Sequence, residues 1–145
     1  MFKHILLPTD GSELSLRAVD TGIALAARLG ASVYAFSVVS PFPWLTYAVD
    51  IIQANQEFYL GEAIARAEGY LKEVCQRAAA AGVACASSHA IEQRPYTAIV
   101  ATVAAQQCDL IVMASHGWRG FDRLLLGSET HKVMLHASVP VLICD

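Results

Sequence analysis

Between residues 114 and 128 the chain reads Ala-Ser-His-Gly-Trp-Arg-Gly-Phe-Asp-Arg-Leu-Leu-Leu-Gly-Ser, a glycine-punctuated stretch that feeds a helical pattern. That layout suits an anion. Gly117 and Gly127 put no Cβ between a ligand and the backbone N–H groups, the first amides of a helix lack internal partners, and Ser128 adds a hydroxyl. Ser128 also has a plainer reading as a helix cap, and the two roles are compatible. A second turn is Pro8-Thr9-Asp10-Gly11-Ser12. There Asp10 is either a ligand contact or a turn residue bonding its own backbone, and Ser12 is placed to cap the next helix. Arg119 and Arg123 are near enough in sequence to neutralise phosphates, or simply stand in solvent.

His116 beside Ser115 raises the question of acid–base or nucleophilic work. No Gly-x-Ser-x-Gly elbow and no third member to orient the imidazole can be assigned, so a loop histidine is the favoured reading. His131 and His136 lie five apart, pointing in different directions on a helix, unlike the i, i+4 pair of a metal site. Cys75, Cys85, Cys108 and Cys144 are scattered without a Cys-x-x-Cys pair. They are expected to be reduced core thiols in a reducing compartment.

The elements that must position these residues alternate. Short Val/Ile/Leu-rich runs separate longer helix-period segments, the order that gives right-handed βαβ units and a parallel sheet covered on both faces. Strands are expected at Lys3 to Leu7, Ser32 to Val39, Val83 to Ile91, Asp109 to Met113 and Val139 to Cys144. The first helix follows Ser12 and runs to Leu29, with Leu14, Ala18, Leu25 and Leu29 inward and Gly30 as its stop. Further helices are expected at Val49 to Ala81, Pro95 to Gln107 and Ser128 to His136. The prolines of Ser40-Pro41-Phe42-Pro43-Trp44 stop both helix and ladder. The segment from Phe42 to Tyr47 reads as a hydrophobic cover in preference to a recognition loop. In such an open sheet, ligands bind beyond the carboxyl ends of the strands.

With 145 residues and 55% hydrophobic content, one domain over 1–145 is expected. Only 16% of residues are charged and the net charge is −3, which offers no basic surface for nucleic acid. Apolar stretches are broken well short of the roughly 20 residues of a spanning helix, so no membrane is expected as a partner. The run from Met1 to Pro8 is too short for a secretory segment and reads as a buried strand.

Three of these motifs, in order, resemble the universal stress protein family. ATP-binding members carry a Gly, two residues, a Gly, nine residues, then Gly-Ser or Gly-Thr. Gly117, nine residues and Gly127-Ser128 match, whereas Ala114 stands where the first glycine would be. Ile5 to Ser12 resembles the family's first strand and turn, and Val139 to Ile143 its closing strand, while Ser40 to Gln93 carries no signature. The resemblance implies a Rossmann-like, doubly wound sheet of order 3-2-1-4-5 that binds ATP. Carried over by position, it puts Pro8, Thr9 and Asp10 near the ribose and the backbone of Val38 against the adenine edge. It puts Ala114, Ser115, His116, Gly117, Trp118, Arg119, Gly120, Gly127, Ser128, Glu129 and Thr130 around the phosphates. Ala114 is compatible with that role if it keeps a negative φ. The resemblance further implies a cytoplasmic homodimer paired through the last strand, Val139 to Cys144, acting as a stress-response module without an obvious catalyst. Two other readings stay open. One is a nucleotide-free dimeric scaffold, favoured by Ala114; the other is a slow Mg-dependent ATPase with the metal near Asp10 or Glu129.

Overall fold

The computed structural model describes residues 1–41, 49–117 and 126–145, with only the main chain over 49–55. The expectations for Phe42 to Tyr47, Trp118, Arg119, Gly120 and Arg123 lie outside the described residues. The element order is β1 (His4–Pro8), α1 (Glu13–Leu29), β2 (Ser32–Val39), α2 (Val49–Ala80), β3 (Cys85–Ile91), α3 (Pro95–Ala105), β4 (Leu110–Ala114), α4 (Ser128–His136) and β5 (Val141–Cys144). The strands form one sheet in the order β3-β2-β1-β4-β5, all parallel, with Ile5 opposite both Val33 and Leu110 and Ile111 opposite Val141.

Alternation along the strands divides the core in two. Ile5, Leu7, Val33, Ala35, Leu110 and Val112 join residues of α1 and α2 on one face. Leu6, Tyr34, Phe36, Ile111 and Met113 join residues of α3 and α4 on the other. Because the central strands are buried on both faces, they read as continuous apolar runs.

The inward stripe of α1 differs from the expected one. It consists of Ser15, Ala18, Val19, Gly22, Ile23 and Ala26, whereas Leu29 is exposed. Small residues face inward because the helix lies close on the sheet: a Cβ at Gly22 would run into Leu7. Strand limits shift for identifiable reasons. Val83 is buried but belongs to the turn after Gly82, its N–H donating to Ala78 at 2.9 Å, so β3 begins later than expected. Pro140 has no N–H, and β5 begins after it. Asp109 stands before β4 and accepts from the Lys3 and His4 amides at 2.8 and 3.0 Å. Burial opposes its charge, but these N–H groups outweigh that and hold the carboxyl below its usual range. Gln107 takes a positive φ of 55° past the end of α3. The cysteines are less scattered in space than in sequence: the sulfurs of Cys75 and Cys85 are 2.7 Å apart.

Candidate functional site

Order β3-β2-β1-β4-β5 places the reversal of winding between β1 and β4, and at the carboxyl ends of β1, β2 and β4 lies a cavity of about 520 Å³. Its walls include Pro8, Thr9 and Asp10 from β1 and its turn, Val38 from β2, and Ala114, His116 and Gly117 from β4 and its turn. Gly127, Ser128, Glu129 and Thr130 line it from the start of α4. Eleven of the residues expected around a ligand therefore converge on one cavity.

The first turn is held by its own side chains. The Thr9 N–H donates to Phe36 at 2.8 Å, and the Thr9 hydroxyl pairs with that of Ser15 at 3.0 Å and accepts from Gly11 at 3.1 Å. Asp10 Oδ1 accepts from the Ser12 amide at 3.0 Å, so the turn reading of Asp10 holds. Ser12 caps α1 by accepting from Ser15 at 3.2 Å. Gly11 adopts φ +79°, and a Cβ there would strike the ring of Tyr70 from α2.

The second corner is built differently. Ala114 ends β4, and Gln107 is the only non-glycine with positive φ among the described residues, so Ala114 keeps a negative φ. The Ser115 carbonyl accepts from Gly127 at 2.7 Å, closing the corner where the chain returns to α4. A Cβ at Gly127, where φ is −60°, would sit 3.0 Å from that carbonyl oxygen. A side chain here would make the Ser115 carbonyl give by a few tenths of an ångström, whereas the φ suits any residue. A Cβ on Gly117 would collide with Asp10 Oδ2, so this glycine lets the two turns meet.

Four of the expected residues make, or fail to make, contacts that the sequence did not foresee. Ser115 is buried and is not in the cavity wall; its hydroxyl donates to Asp145 at 2.8 Å and pairs with His116 Nδ1 at 2.9 Å. Glu129 accepts from the Tyr96 amide at 3.0 Å, serving the N-terminus of α3, and lies 3.4 Å from Lys132 Nζ. The Ser128 side chain does not cap α4: the cap is Gly127, which has no side chain to bond the first turn. Thr130 lines the cavity, but its hydroxyl donates to the Ala114 carbonyl at 3.0 Å. Nε2 of His116 is buried without a partner among the described residues.

Ser15, Phe36, Ser40, Gln93, Pro95, Ile99 and Met113 also line the cavity and were missed from sequence. The two-residue period from Val38 points to Phe36 on the same sheet face, a signal that was there to be read. The position of Gln93 and Pro95 depends on how α3 crosses the sheet, which has no local signature. Among the described residues no cluster of His, Cys, Asp and Glu is built to hold a metal, and no helix is long and apolar enough to cross a membrane.

Fold and cavity define a doubly wound α/β domain with a cavity at its switch point. Comparison sharpens this: the family model described as the universal stress protein family matches residues 1–145. A universal stress protein of Methanocaldococcus jannaschii is 34% identical over 99% of this chain and 82% of its own length. One from Thermus aquaticus is 32% identical over 99% of this chain and 98% of its own. Among solved structures, UspA from Lactobacillus plantarum superposes with a TM-score of 0.87 at 23% identity, covering 99% of this chain and 98% of that one. A universal stress protein crystallised in complex with cAMP superposes with a TM-score of 0.72 at 28% identity, covering 99% and 97%. The chain belongs to the universal stress protein family.

Proposed function

We propose that this protein is a regulatory or protective module that binds ATP in the cavity between the β1 and β4 turns. The observation that carries the reading is the corner from Ser115 to Thr130. There a glycine sits where a Cβ would press on the backbone, and α4 starts on Gly127, which has no side chain to cap its first amides. A phosphate supplies an acceptor for the uncapped amides at the positive end of that helix. The relative solved with cAMP supports an adenine nucleotide as the ligand class. In this reading Thr9 and Asp10 approach the ribose and the Val38 backbone meets the base, with Phe36 and Met113 as the apolar floor.

The Glu129 carboxylate already serves Tyr96 and Lys132, which weakens the ATPase reading. Magnesium, if carried in with the nucleotide, neutralises the phosphates, and Asp10 at the cavity wall is the carboxylate placed to meet it. The protein acts as a cytoplasmic homodimer paired through β5. That edge strand exposes Leu142, and neighbouring α4 exposes Met134 and Leu135, an apolar margin that an uncovered sheet edge does not tolerate.

Titration calorimetry with ATP, with and without magnesium, tests the reading. Saturable binding at micromolar to sub-millimolar concentration is expected, with adenine nucleotide in the extract of purified protein and no phosphate release above buffer. Absence of binding at millimolar ATP turns the assignment to the nucleotide-free scaffold, and magnesium-dependent phosphate release turns it to the ATPase. A monomer by light scattering at tens of micromolar (~, a range that standard interfaces occupy) overturns the dimer.

A further inference from the structure

Cys75 and Cys85 approach each other at the end of the sheet opposite the cavity. Cys75 lies on the last turns of α2, beside the buried residues Val74 and Ala78, and Cys85 opens β3 at the sheet edge. The chain between them, residues 76–84, reverses direction through Gly82, whose φ is +72°. Hydrogen bonds from Gly82 to Ala79 at 3.0 Å and from Val83 to Ala78 at 2.9 Å hold this reversal, so the approach of the sulfurs is set by the backbone. The sulfurs are 2.7 Å apart, and neither residue is fully buried. By contrast Cys108 is buried in the core of the opposite face.

We propose that Cys75 and Cys85 form an oxidative modification site, in which a hydroperoxide converts the two thiols into a disulfide that fastens the end of α2 to β3. One sulfur, as thiolate, attacks the peroxide; its O–O bond breaks, the outer oxygen leaves and is protonated as alcohol or water, and the sulfur becomes a sulfenic acid. The second sulfur then attacks that sulfur, the S–S bond forms, the S–O bond breaks, and hydroxide leaves as water with the second thiol's proton. The thiols lose two electrons and the peroxide gains them. Burial, the hydrogen bond to Cys75 and its nearby charge push the Cys85 thiol up to about 12, so this thiol keeps its proton until a sulfenic acid stands beside it. Exchange with a small dithiol reverses the bond.

The test uses full-length reduced protein treated with a few equivalents of hydrogen peroxide, then alkylated, digested and mapped by mass spectrometry. A Cys75–Cys85 cross-linked peptide, lighter by two hydrogens, is expected within single chains, with Cys108 and Cys144 still alkylated. Dithiothreitol restores both thiols. The closed loop is short, so the oxidised protein should melt about 8 °C above the reduced one, by the loop-closure relation and the usual conversion for a chain of this length. Cys75→Ala and Cys85→Ala each abolish the cross-link and the rise. The proposal is overturned if both cysteines stay alkylated, if they are oxidised singly to sulfinic acid, or if they link to Cys108, Cys144 or a second chain. None of these outcomes depends on nucleotide binding.

Discussion

Two strand-to-helix turns face each other across the switch point, and they satisfy their backbone in opposite ways. In the β1–α1 turn the amides of Thr9, Gly11, Ser12 and Ser15 all find partners within the protein, three of them on side chains of the turn itself. In the β4–α4 corner the helix starts on Gly127 without a side-chain cap, and among the described residues His116 Nε2 has no partner. A helix start with a serine cap has an internal acceptor for its amides, whereas one that starts on glycine leaves them open to solvent or to an anion. On the proposed function, the first turn is therefore a self-bonded wall and the second the element that binds the phosphates. Substitutions at the two should separate stability from affinity.

The largest effect is expected at the binding element. Gly127→Val adds a branched side chain whose Cβ sits 3.0 Å from the Ser115 carbonyl and 3.4 Å from His116 Cα, moving the amides that face the cavity. Losing two amide–phosphate bonds of about 1.5–3 kcal/mol each lowers ATP affinity by at least about two orders of magnitude. Calorimetry on a folded, dimeric variant measures this, and unchanged affinity would put the ligand elsewhere. Next comes Gly11→Ala in the wall. A left-handed φ of +79° and the Tyr70 ring both oppose a methyl group, and together they cost about 2–4 kcal/mol in urea-monitored stability.

Much of this contrast was legible in the sequence, because turn chemistry is local. Ser12, Gly11 and Asp10 announce a self-bonded turn, and Gly117, Gly127 and the apolar runs announce the site edge and the sheet. What was not legible depends on the approach of distant segments. The inward face of α1 is made of Ser15, Ala18 and Gly22 because the helix lies close to Leu7, and helix-to-sheet distance is not written in spacing. Glu129 lines the cavity, but its bond to the Tyr96 amide of α3 could not be read from spacing. Ser115 looked like a phosphate contact, but Asp145, 30 residues on, turns its hydroxyl away. Tyr70, buttressing Gly11, falls within the segment that carried no signature at all.

A smaller effect distinguishes wall from binder on the same scale. Ser12→Ala removes the cap of α1 and should lower stability by about 1 kcal/mol, or about 3 °C in Tm. ATP affinity should stay within about twofold of wild type, since the Ser12 hydroxyl serves Ser15 and is not in the cavity wall. A tenfold loss of affinity, on the order of 1.4 kcal/mol, would mean that the Ser12 cap itself takes part in binding.

The smallest effect on affinity is expected at Ala114, the one position where the phosphate-loop pattern of the family is broken. Ala114 is the last residue of β4, buried, with its carbonyl accepting from Thr130 and its backbone outside the left-handed region. Glycine there needs no new conformation, so Ala114→Gly gains only the space of one methyl group in the cavity wall. The strand loses about 0.5–1 kcal/mol of stability through added backbone freedom. ATP affinity should be equal or slightly higher, because the amides of Gly117 and α4 that face the cavity are unchanged. Calorimetry of wild type and variant side by side measures the difference. A large gain, above about tenfold, would show that the Ala114 methyl obstructs the phosphates and that the wild-type corner has moved toward the nucleotide-free scaffold. A loss would mean that the methyl packs against the ligand and that alanine is the better residue for this cavity.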